Sequence, residues 1–338
     1  MRAVGYRSSL PITEAQSLVD IDLSRPVPAG RDLLVEVRAV SVNPVDTKVR
    51  RNVAPEGGAW KVLGWDAAGV VVETGPEASL FKPGDAVFYA GAIDRPGTDA
   101  EFHLVDERIV GAKPVTLGWA EAAALPLTAI TAWETLFDRL EVKGRGVPGA
   151  APALLIVGGA GGVGSIAIQL ARTLTDLTVI ATASRPETQA WAKALGAHHV
   201  VDHSRPLAGE IAALGIGAPA FVFSTTNTQD HLAQIAELIA PQGRFALIDD
   251  PKSLDIMPLK RKSVSIHWEA MFTRSLFGTA DMAQQGVLLN EVSRLVDAGA
   301  LRTTLAERFG AITAENLRRA HALIESGRSR GKIVLEGF

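Results

Sequence analysis

The sequence predicts an α/β protein in which a small all-β barrel is followed by a parallel sheet with helices on both faces. Up to about residue 115, short apolar stretches are broken by turn residues such as Pro83–Asp85, a pattern typical of a small barrel. From about residue 120, helical segments alternate with runs of β-branched residues, which indicates a parallel sheet buried between helices. The length of 338 residues allows about two domains.

The individual elements follow from the same patterns. The barrel strands include Leu33–Val37, Ala67–Glu73 and Ala86–Ala90. The strands of the parallel sheet are predicted over Ala153–Val157, Thr178–Thr182, His199–Val201, Ala220–Phe223 and Arg244–Ile248. Near the end of the chain the spacing predicts helices over Met282–Ala298 and Ala314–Glu325 and a last strand over Gly331–Leu335.

The composition restricts the class of protein. Hydrophobic residues make up 47% of the chain and charged residues 21%, so disordered and fibrous classes are excluded. The 34 basic and 37 acidic residues give a net charge of −3, which provides no electrostatic attraction to nucleic acid or to an anionic membrane surface. No apolar run approaches the ~18 residues of a membrane span, and the N-terminus lacks the apolar core of a signal peptide. We therefore expect a soluble cytoplasmic protein with no nucleic-acid or membrane partner.

A glycine-rich turn is the strongest local signal for function. The apolar run that starts at Leu154 leads into Gly159, Ala160, Gly161, Gly162, Val163 and Gly164, and Ile166–Leu174 continues with helical spacing. Glycines at these positions permit a tight turn and let the backbone approach a pyrophosphate at the helix N-terminus. We predict that this turn binds a dinucleotide, and the alternative is a turn with no ligand.

The residues after the second strand of the sheet indicate which dinucleotide is bound. An NAD site has Asp or Glu about 20 residues beyond the glycines, where the carboxylate accepts a hydrogen bond from the ribose 2′-hydroxyl. Ser184 and Arg185 stand there instead, and a hydroxyl with a guanidinium suits the 2′-phosphate of NADPH. In the alternative, Arg185 only opens a helix before Pro186 and points to solvent.

Motifs along nearly the whole chain resemble those of one superfamily. The matching stretches are Val42–Arg50, Leu63–Gly69, Lys82–Val87, Leu125–Leu136, Gly159–Gly164 and Gly331–Leu335. In this order they resemble the medium-chain dehydrogenase/reductase superfamily, and specifically its zinc-free quinone oxidoreductase branch, the group that includes zeta-crystallin and proteins labelled zinc-type alcohol dehydrogenase-like. The resemblance implies a GroES-like β-barrel catalytic domain over residues 1–126 and 271–338. It also implies an inserted Rossmann NADP-binding domain, a doubly wound parallel sheet, over residues 127–270, with the active site in the cleft.

The resemblance also allows a test for zinc. In the zinc alcohol dehydrogenases of this superfamily, the metal is held by two cysteines, a histidine and sometimes a neighbouring glutamate. Asn43 and Leu127 align with the cysteines, and Trp65 and Asp66 align with the histidine and glutamate. The chain has no cysteine, which also excludes disulfides. We therefore expect no metal site.

The expected absence of a Lewis acid limits the chemistry. Without zinc an alcohol is not readily ionised at neutral pH, so the acceptor must already be electrophilic, as quinones and α,β-unsaturated carbonyls are. The cofactor then carries the hydride step, and the protein supplies orientation and hydrogen bonds. A redox-inert NADPH-binding protein is the alternative that the zeta-crystallin resemblance supplies, and an RNA-binding role is a third that has no basic patch to support it.

The resemblance also suggests candidate site residues. Asn43, Asp46 and Thr128 are candidate catalytic residues, and Asn43 and Thr128 are also expected near the nicotinamide; a turn, a turn partner and a helix cap are the respective structural alternatives. His203 aligns with a residue beside the 2′-phosphate, and Lys332 with a lysine that reaches the cofactor phosphates; their alternatives are a loop histidine and a solvated strand end. Ser224 and Thr225 are also expected to bind the cofactor.

The segment near Ser263–His267 suggests a homodimer. The apolar residues of Trp268–Phe277 are expected to line the substrate cleft or to pack in a dimer or core.

Overall fold

The computed structural model describes residues 1–144 and 146–338. The chain forms two compact units. The first consists of Met1–Ile130 together with Phe272–Phe338, and the second is Thr131–Met271. The second unit is therefore inserted into the sequence of the first. Among the described residues, none of the helices has the length and apolar character needed to cross a membrane.

The strands divide between the two units. In chain order they are β1 (Arg2–Tyr6), β2 (Val19–Asp22), β3 (Asp32–Val42), β4 (Lys61–Val62), β5 (Ala67–Thr74), β6 (Ala86–Tyr89), β7 (Phe102–Asp106), β8 (Val110–Ala112), β9 (Ala151–Val157), β10 (Thr178–Thr182), β11 (His199–Val201), β12 (Pro219–Ser224), β13 (Arg244–Leu247), β14 (Ser265–Trp268), β15 (Leu305–Arg308) and β16 (Lys332–Glu336). Strands β9 to β14 belong to the second unit, and the others belong to the first.

The helices complete the layers. They are α1 (Pro44–Asn52), α2 (Trp119–Ala123), α3 (Pro126–Trp133), α4 (Gly162–Leu174), α5 (Pro186–Ala194), α6 (Leu207–Ala212), α7 (Thr228–Leu238), α8 (Met257–Lys260), α9 (Thr273–Leu276), α10 (Gln284–Asp297) and α11 (Ala314–Glu325). A π-helical turn, Glu134–Arg139, continues from α3. The predicted helix over Ala314–Glu325 has the observed bounds, and the other long C-terminal helix is two residues shorter at its start and one at its end.

The first unit is built around the long strand β3. It pairs antiparallel with β5, β7 and β16, within a seven-stranded sheet of order β15-β16-β3-β5-β6-β8 with β7 attached to β3. In the β3–β16 pair, Ile333 lies opposite Val42. This register brings the start of the last strand of the chain beside the end of β3, where the candidate site begins.

The second unit is a six-stranded parallel sheet of order β11-β10-β9-β12-β13-β14. The five predicted strands are all present, and β14 adds a sixth at the edge beside β13. The order reverses at β9, and such a switch point at the carboxyl ends of the strands is where dinucleotides bind. Buried side chains from the strands and from α6 and α7, among them Leu155, Val222 and Ile235, form its core.

One helix interrupts the region that the sequence predicted as all-β. Helix α1 begins at Pro44, and the side chain of Asp46 accepts a hydrogen bond from the backbone N–H of Asn43. This closure of the first turn, with proline at the first helical position, is a strong helix start. An Asn-Pro pair is found in turns as well as at helix starts. Because short strands surround this pair in the sequence, the sequence predicted a turn here and missed the helix.

A buried histidine makes the stability of the first unit depend on pH. His321 of α11 is fully buried, and neither ring nitrogen has a hydrogen-bond partner among the described residues. Burial, with a smaller effect of the Arg50 guanidinium, lowers the pKa of His321 to about 3. The folded protein therefore keeps this imidazole neutral at pH values where the unfolded chain protonates it.

We expect the unfolding free energy to fall as the pH is lowered below the ordinary histidine pKa of about 6.5, by up to about 1.4 kcal/mol per pH unit from this residue. The sign follows because the folded pKa is depressed, so the unfolded state binds more protons between pH 6.5 and about 3. His321→Leu should flatten this acid limb in urea unfolding curves measured between pH 7 and pH 4.5. His199→Leu, at a half-buried histidine of the second unit, is the control; equal acid sensitivity of wild type and His321→Leu would contradict the assignment.

Candidate functional site

A buried polar cluster in the first unit joins residues that are far apart in the sequence. Asn43 lies between β3 and α1, Asp66 precedes β5, Leu127 lies in α3, and Lys332 begins β16. The exposed fractions of Asn43, Asp66 and Lys332 are 1%, 0% and 3%. Burial of charges and amides costs free energy unless they have hydrogen-bond partners. The hydrogen bonds of this cluster therefore determine which of its groups are available to bind a cofactor or a metal ion.

The Lys332 ammonium is at the centre of the cluster. Its Nζ donates to the carbonyl oxygen of Val42 at 3.1 Å and to Asp66 Oδ2 at 3.0 Å, and it also donates to Asn43 Oδ1. An ammonium has three protons, and each of them has an oxygen acceptor here. The expectation of a solvated strand end is therefore wrong, and a contact between Lys332 and a cofactor phosphate would require these bonds to break.

The two side-chain partners of Lys332 also bind each other. Asn43 Nδ2 donates to Asp66 Oδ2 at 2.8 Å, and the backbone N–H of Leu127 donates to Asp66 Oδ1 at 2.8 Å. Burial raises the pKa of Asp66, and the nearby Lys332 ammonium opposes this shift. The amide oxygen of Asn43 is bonded to Lys332 and its nitrogen to Asp66. Direct contact of Asn43 with a nicotinamide stays a prediction, and it requires these hydrogen bonds to break.

Asp46 binds the backbone on either side of this cluster, at Asn43 and at Gly64. Its Oδ2 accepts from the backbone N–H of Asn43 at 2.5 Å and its Oδ1 from that of Gly64 at 3.1 Å. Burial raises the pKa of Asp46 to about 7, against the lowering effect of these hydrogen bonds and of Lys332. A second buried carboxyl, Asp99, has its pKa raised by burial and by the charge of Asp46. Sequence reasoning missed Asp99 because only the folded chain brings it close.

Thr128 is also buried. Its hydroxyl donates to the carbonyl oxygen of Leu125 at 3.1 Å, inside the first turn of α3. A helix cap accepts a hydrogen bond from a backbone N–H, whereas Thr128 is the third residue of α3 and its hydroxyl donates to a carbonyl, so the helix-cap alternative is wrong. A catalytic role for Thr128 or Asp46 stays a prediction, and in this structure both side chains are tied to the backbone of their own unit.

The four positions that align with zinc ligands do not form a metal site. Asn43 and Asp66 present oxygen atoms, but those atoms bind the Lys332 ammonium. Trp65 directs its indole N–H to the carbonyl oxygen of Ala92, and Leu127 contributes only a backbone N–H. Over residues 1–144 and 146–338 no cluster of three or more His, Asp or Glu side chains is arranged to hold a metal ion. The donor set therefore does not fit zinc.

The glycine-rich turn in the second unit connects β9 to α4. Helix α4 starts at Gly162, with Gly161 preceding it. A Cβ atom on Gly164 would lie 2.3 Å from the carbonyl oxygen of Gly158, and one on Gly159 would lie 2.6 Å from the Cβ of Ala181. At Gly161 the nearest atom would be the Gly158 oxygen at 3.6 Å. Gly159 and Gly164 are thus required by the packing of the turn, whereas Gly161 leaves open space in front of a helix N-terminus.

The end of β10 lies beside this turn. The hydroxyl oxygen of Thr182 accepts a hydrogen bond from the Gly158 N–H at 3.0 Å and lies 2.8 Å from His203 Nδ1. This contact ties one ring nitrogen of His203 to the strand end and leaves Nε2 on the other side of the ring. Burial and the neighbouring His231 lower the pKa of His203. The lowered pKa favours the neutral form of the His203 imidazole.

The other predicted cofactor residues occupy the same edge of the sheet. Ser184 is exposed, and Arg185 Nε lies 2.8 Å from Glu187 Oε1 just before α5. Ser224 is buried, with its hydroxyl 2.8 Å from Thr228 Oγ1. Thr225 Oγ1 donates to the carbonyl oxygen of Val157 at 2.8 Å. Ser224 and Thr225 thus shape the strand ends through intramolecular bonds, and their contact with a cofactor stays a prediction.

Sequence reasoning missed His231. It lies in the first turn of α7, and its ring centroid is 5.9 Å from that of His203. Burial lowers the pKa of His231 as well. The sequence spacing of these histidines gives no sign of their pairing, because it depends on the order of the strands.

Both family models that match the chain belong to the dehydrogenases. Residues 29–132 match the alcohol dehydrogenase GroES-like domain, and residues 195–335 match the zinc-binding dehydrogenases. With a GroES-like domain and a Rossmann sheet, the chain belongs to the medium-chain dehydrogenase/reductase superfamily, whose members include oxidoreductases, and the predicted fold class is confirmed. It is similar to a zinc-type alcohol dehydrogenase-like protein of Staphylococcus aureus, with 38% identity over 336 residues that cover 99% of each chain.

Solved structures and a plant enzyme extend these similarities. A Rhizobium etli protein described as a candidate zinc-dependent alcohol dehydrogenase is 70% identical, with a TM-score of 0.98 and coverage of 100% of this chain and 98% of that one. The quinone oxidoreductase of Coxiella burnetii is 27% identical, with a TM-score of 0.80 and coverage of 100% and 99%. A 2-methylene-furan-3-one reductase of Solanum lycopersicum is 38% identical over 181 residues, which are 51% of this chain and 45% of the reductase.

Proposed function

We propose that this oxidoreductase transfers hydride from NADPH to quinones or α,β-unsaturated carbonyls and does so without zinc. The observation that carries the proposal is the commitment of Asn43 and Asp66 to the Lys332 ammonium. A chain whose donor set does not fit zinc has no Lewis acid to ionise an alcohol at neutral pH. An acceptor with a conjugated carbonyl needs no such activation. The similarity to a quinone oxidoreductase and to a 2-methylene-furan-3-one reductase supports this substrate class.

The residues of the second unit support a nicotinamide dinucleotide as the cofactor. When bound, NADPH supplies the hydride. The open space at Gly161 and the N-terminus of α4 suit a pyrophosphate, because unpaired backbone N–H groups and the helix dipole both favour negative charge there. The backbone of Gly158 and the hydroxyl of Thr182 hold this turn against the end of β10.

The preference for NADPH over NADH is carried by the residues after β10. Ser184 and Arg185 stand where an NAD site has a carboxylate. The imidazole of His203, whose Nδ1 lies 2.8 Å from the Thr182 hydroxyl, adds a further polar group at this strand end. Glu187 neutralises part of the charge of Arg185 in the free protein, so Arg185 must leave or share this carboxylate to bind a phosphate.

Turnover and metal content test the function together. The purified protein is expected to oxidise NADPH with at least one quinone or enone acceptor, to keep that activity in a chelator, and to contain no stoichiometric zinc by elemental analysis. Primary alcohols with NADP⁺ are the matched negative substrates, since their oxidation needs ionisation of the hydroxyl.

Two results would contradict the proposal. About one zinc per chain with activity lost on chelation would overturn zinc independence. Tight NADPH binding with no turnover across quinones and enones would instead favour the redox-inert cofactor-binding protein that the resemblance also allows.

We also propose that the protein is a homodimer. Within residues 1–144 and 146–338, β13 is the one strand that pairs with β14, so the other edge of β14 is open, and Trp268 at its end is 57% exposed. Phe277 is 73% exposed, so it does not pack in the core. An open strand edge is a template for pairing with a second chain, and a monomeric mass in light scattering would refute the dimer.

A further inference from the structure

We propose that the Lys332 ammonium is the cation around which the buried cluster is assembled, and that Lys332 is the positioning residue for Asn43 and Asp66. Nothing in the family match assigns this role to the C-terminal strand. The proposal does not rest on the identity of the cofactor or of the acceptor.

The first argument is the coordination of the ammonium. Its three acceptors are of three kinds: a backbone carbonyl of β3, the amide oxygen of Asn43 and the carboxylate of Asp66. Val42 and Asn43 are consecutive residues at the end of β3, Asp66 precedes β5, and the ammonium comes from β16, so the site joins three segments of the first unit. All three acceptors are oxygen atoms, and one of them belongs to a carboxylate. Such a set of ligands is suited to binding a cation.

The second argument is the orientation of the Asn43 amide. Its oxygen faces the ammonium, and its nitrogen faces Asp66 Oδ2 and the carbonyl oxygens of Ser41 and Trp65. A flipped amide would point N–H groups at the ammonium and its oxygen at the carboxylate. A cation at this position therefore selects one orientation of the amide, and with it the conformation of the loop before α1.

The third argument is the charge balance. Three buried carboxyls, Asp46, Asp66 and Asp99, lie in this part of the unit, and Lys332 is the ammonium that hydrogen-bonds to one of them. Asp66 accepts from Lys332, Asn43 and the Leu127 N–H, which favours its ionised form. Removal of one partner from a buried ion pair leaves an uncompensated charge and is strongly destabilising, so the site depends on its cation.

Chemical rescue tests the cation role directly. Lys332→Ala removes the ammonium and leaves the space of its side chain beside Asp66. We expect the melting temperature to fall by about 5 °C or more and n-propylammonium chloride to restore part of that loss in a saturable manner. The same salt should not stabilise the wild type or the double variant Lys332→Ala/Asp66→Asn, and sodium chloride at equal ionic strength is the control. Lys82→Ala, at an exposed lysine, should behave as the wild type.

A second measurement needs no variant. Acetylation of the wild type by acetic anhydride, followed by mass spectrometry, should modify Lys332 at least about tenfold more slowly than Lys82, both without and with saturating NADPH. Rapid labelling of Lys332 that NADPH suppresses would overturn the proposal and support a phosphate contact. Rescue that persists in the double variant would also overturn it, as would a wild-type melting temperature for Lys332→Ala or saturable stabilisation of the wild type by micromolar Zn²⁺.

Discussion

Replacing Gly161 with valine is expected to abolish measurable NADPH binding while leaving the protein folded. The backbone of Gly161 has φ of −71° and ψ of 174°, which a β-branched residue adopts readily. Because the nearest atom to an added Cβ is 3.6 Å away, the protein itself accommodates the first atom of the side chain. The obstacle is the pyrophosphate, which this class of turn brings against the backbone. Fluorescence titration with NADPH measures the effect, and circular dichroism checks the fold.

Gly164 provides the contrast to this variant. A side chain there meets the Gly158 carbonyl oxygen at 2.3 Å, so Gly164→Val is expected to damage folding rather than binding alone. A folded Gly161→Val protein that binds NADPH with wild-type affinity would show that the turn has no dinucleotide to accommodate.

Arg185→Ala is expected to weaken NADPH binding roughly ten- to over a hundredfold and to leave NADH binding nearly unchanged. The magnitude follows from the about 1.5–3 kcal/mol that a hydrogen bond to a charged group contributes. NADH lacks the 2′-phosphate and loses nothing when the guanidinium is removed. Dissociation constants for both cofactors, measured by titration calorimetry, check the prediction.

Glu187→Gln is the matched control for Arg185. It removes the carboxylate that lies 2.8 Å from Arg185 Nε, so it should not weaken NADPH binding.

A residual preference for NADPH in the Arg185→Ala variant would indicate that His203 also contacts the 2′-phosphate. It should grow as the pH falls below the ordinary histidine value of about 6.5, because the folded pKa of His203 is lowered and protonation adds charge only at lower pH. Equal binding of the two cofactors by the wild type, or equal weakening of both by Arg185→Ala, would refute the phosphate assignment.

The second unit was the part of the fold most accessible from the sequence. Its signals are local: a β-branched run, a glycine turn and a helical spacing follow one another within about thirty residues, as a βαβ unit requires. The strand Thr178–Thr182 was predicted with its observed bounds for this reason. The pairing of His203 with His231 was not visible, because it joins the ends of separate strand–helix units.

The buried cluster of the first unit was the least accessible. Lys332 and Asn43 are 289 positions apart, and only the register of β16 against β3 brings them together. The motif around each residue was recognised, but its burial was not, since lysine is rarely buried unless it is paired. The partners that make burial possible are set by long-range strand pairing, and no local pattern encodes them.

The position of Lys332 also determines when the first unit is complete during synthesis. The inserted unit ends at Met271, so its whole sequence leaves the ribosome before the strand that carries the cation has been translated. Domains generally fold as units during synthesis. The inserted unit can therefore fold before Lys332, the partner of Asn43 and Asp66, has been synthesised. A chain that terminates before Lys332 therefore keeps the strands of the parallel sheet but leaves Asp66 without its ammonium in the other unit, and we expect such a chain to be poorly stable.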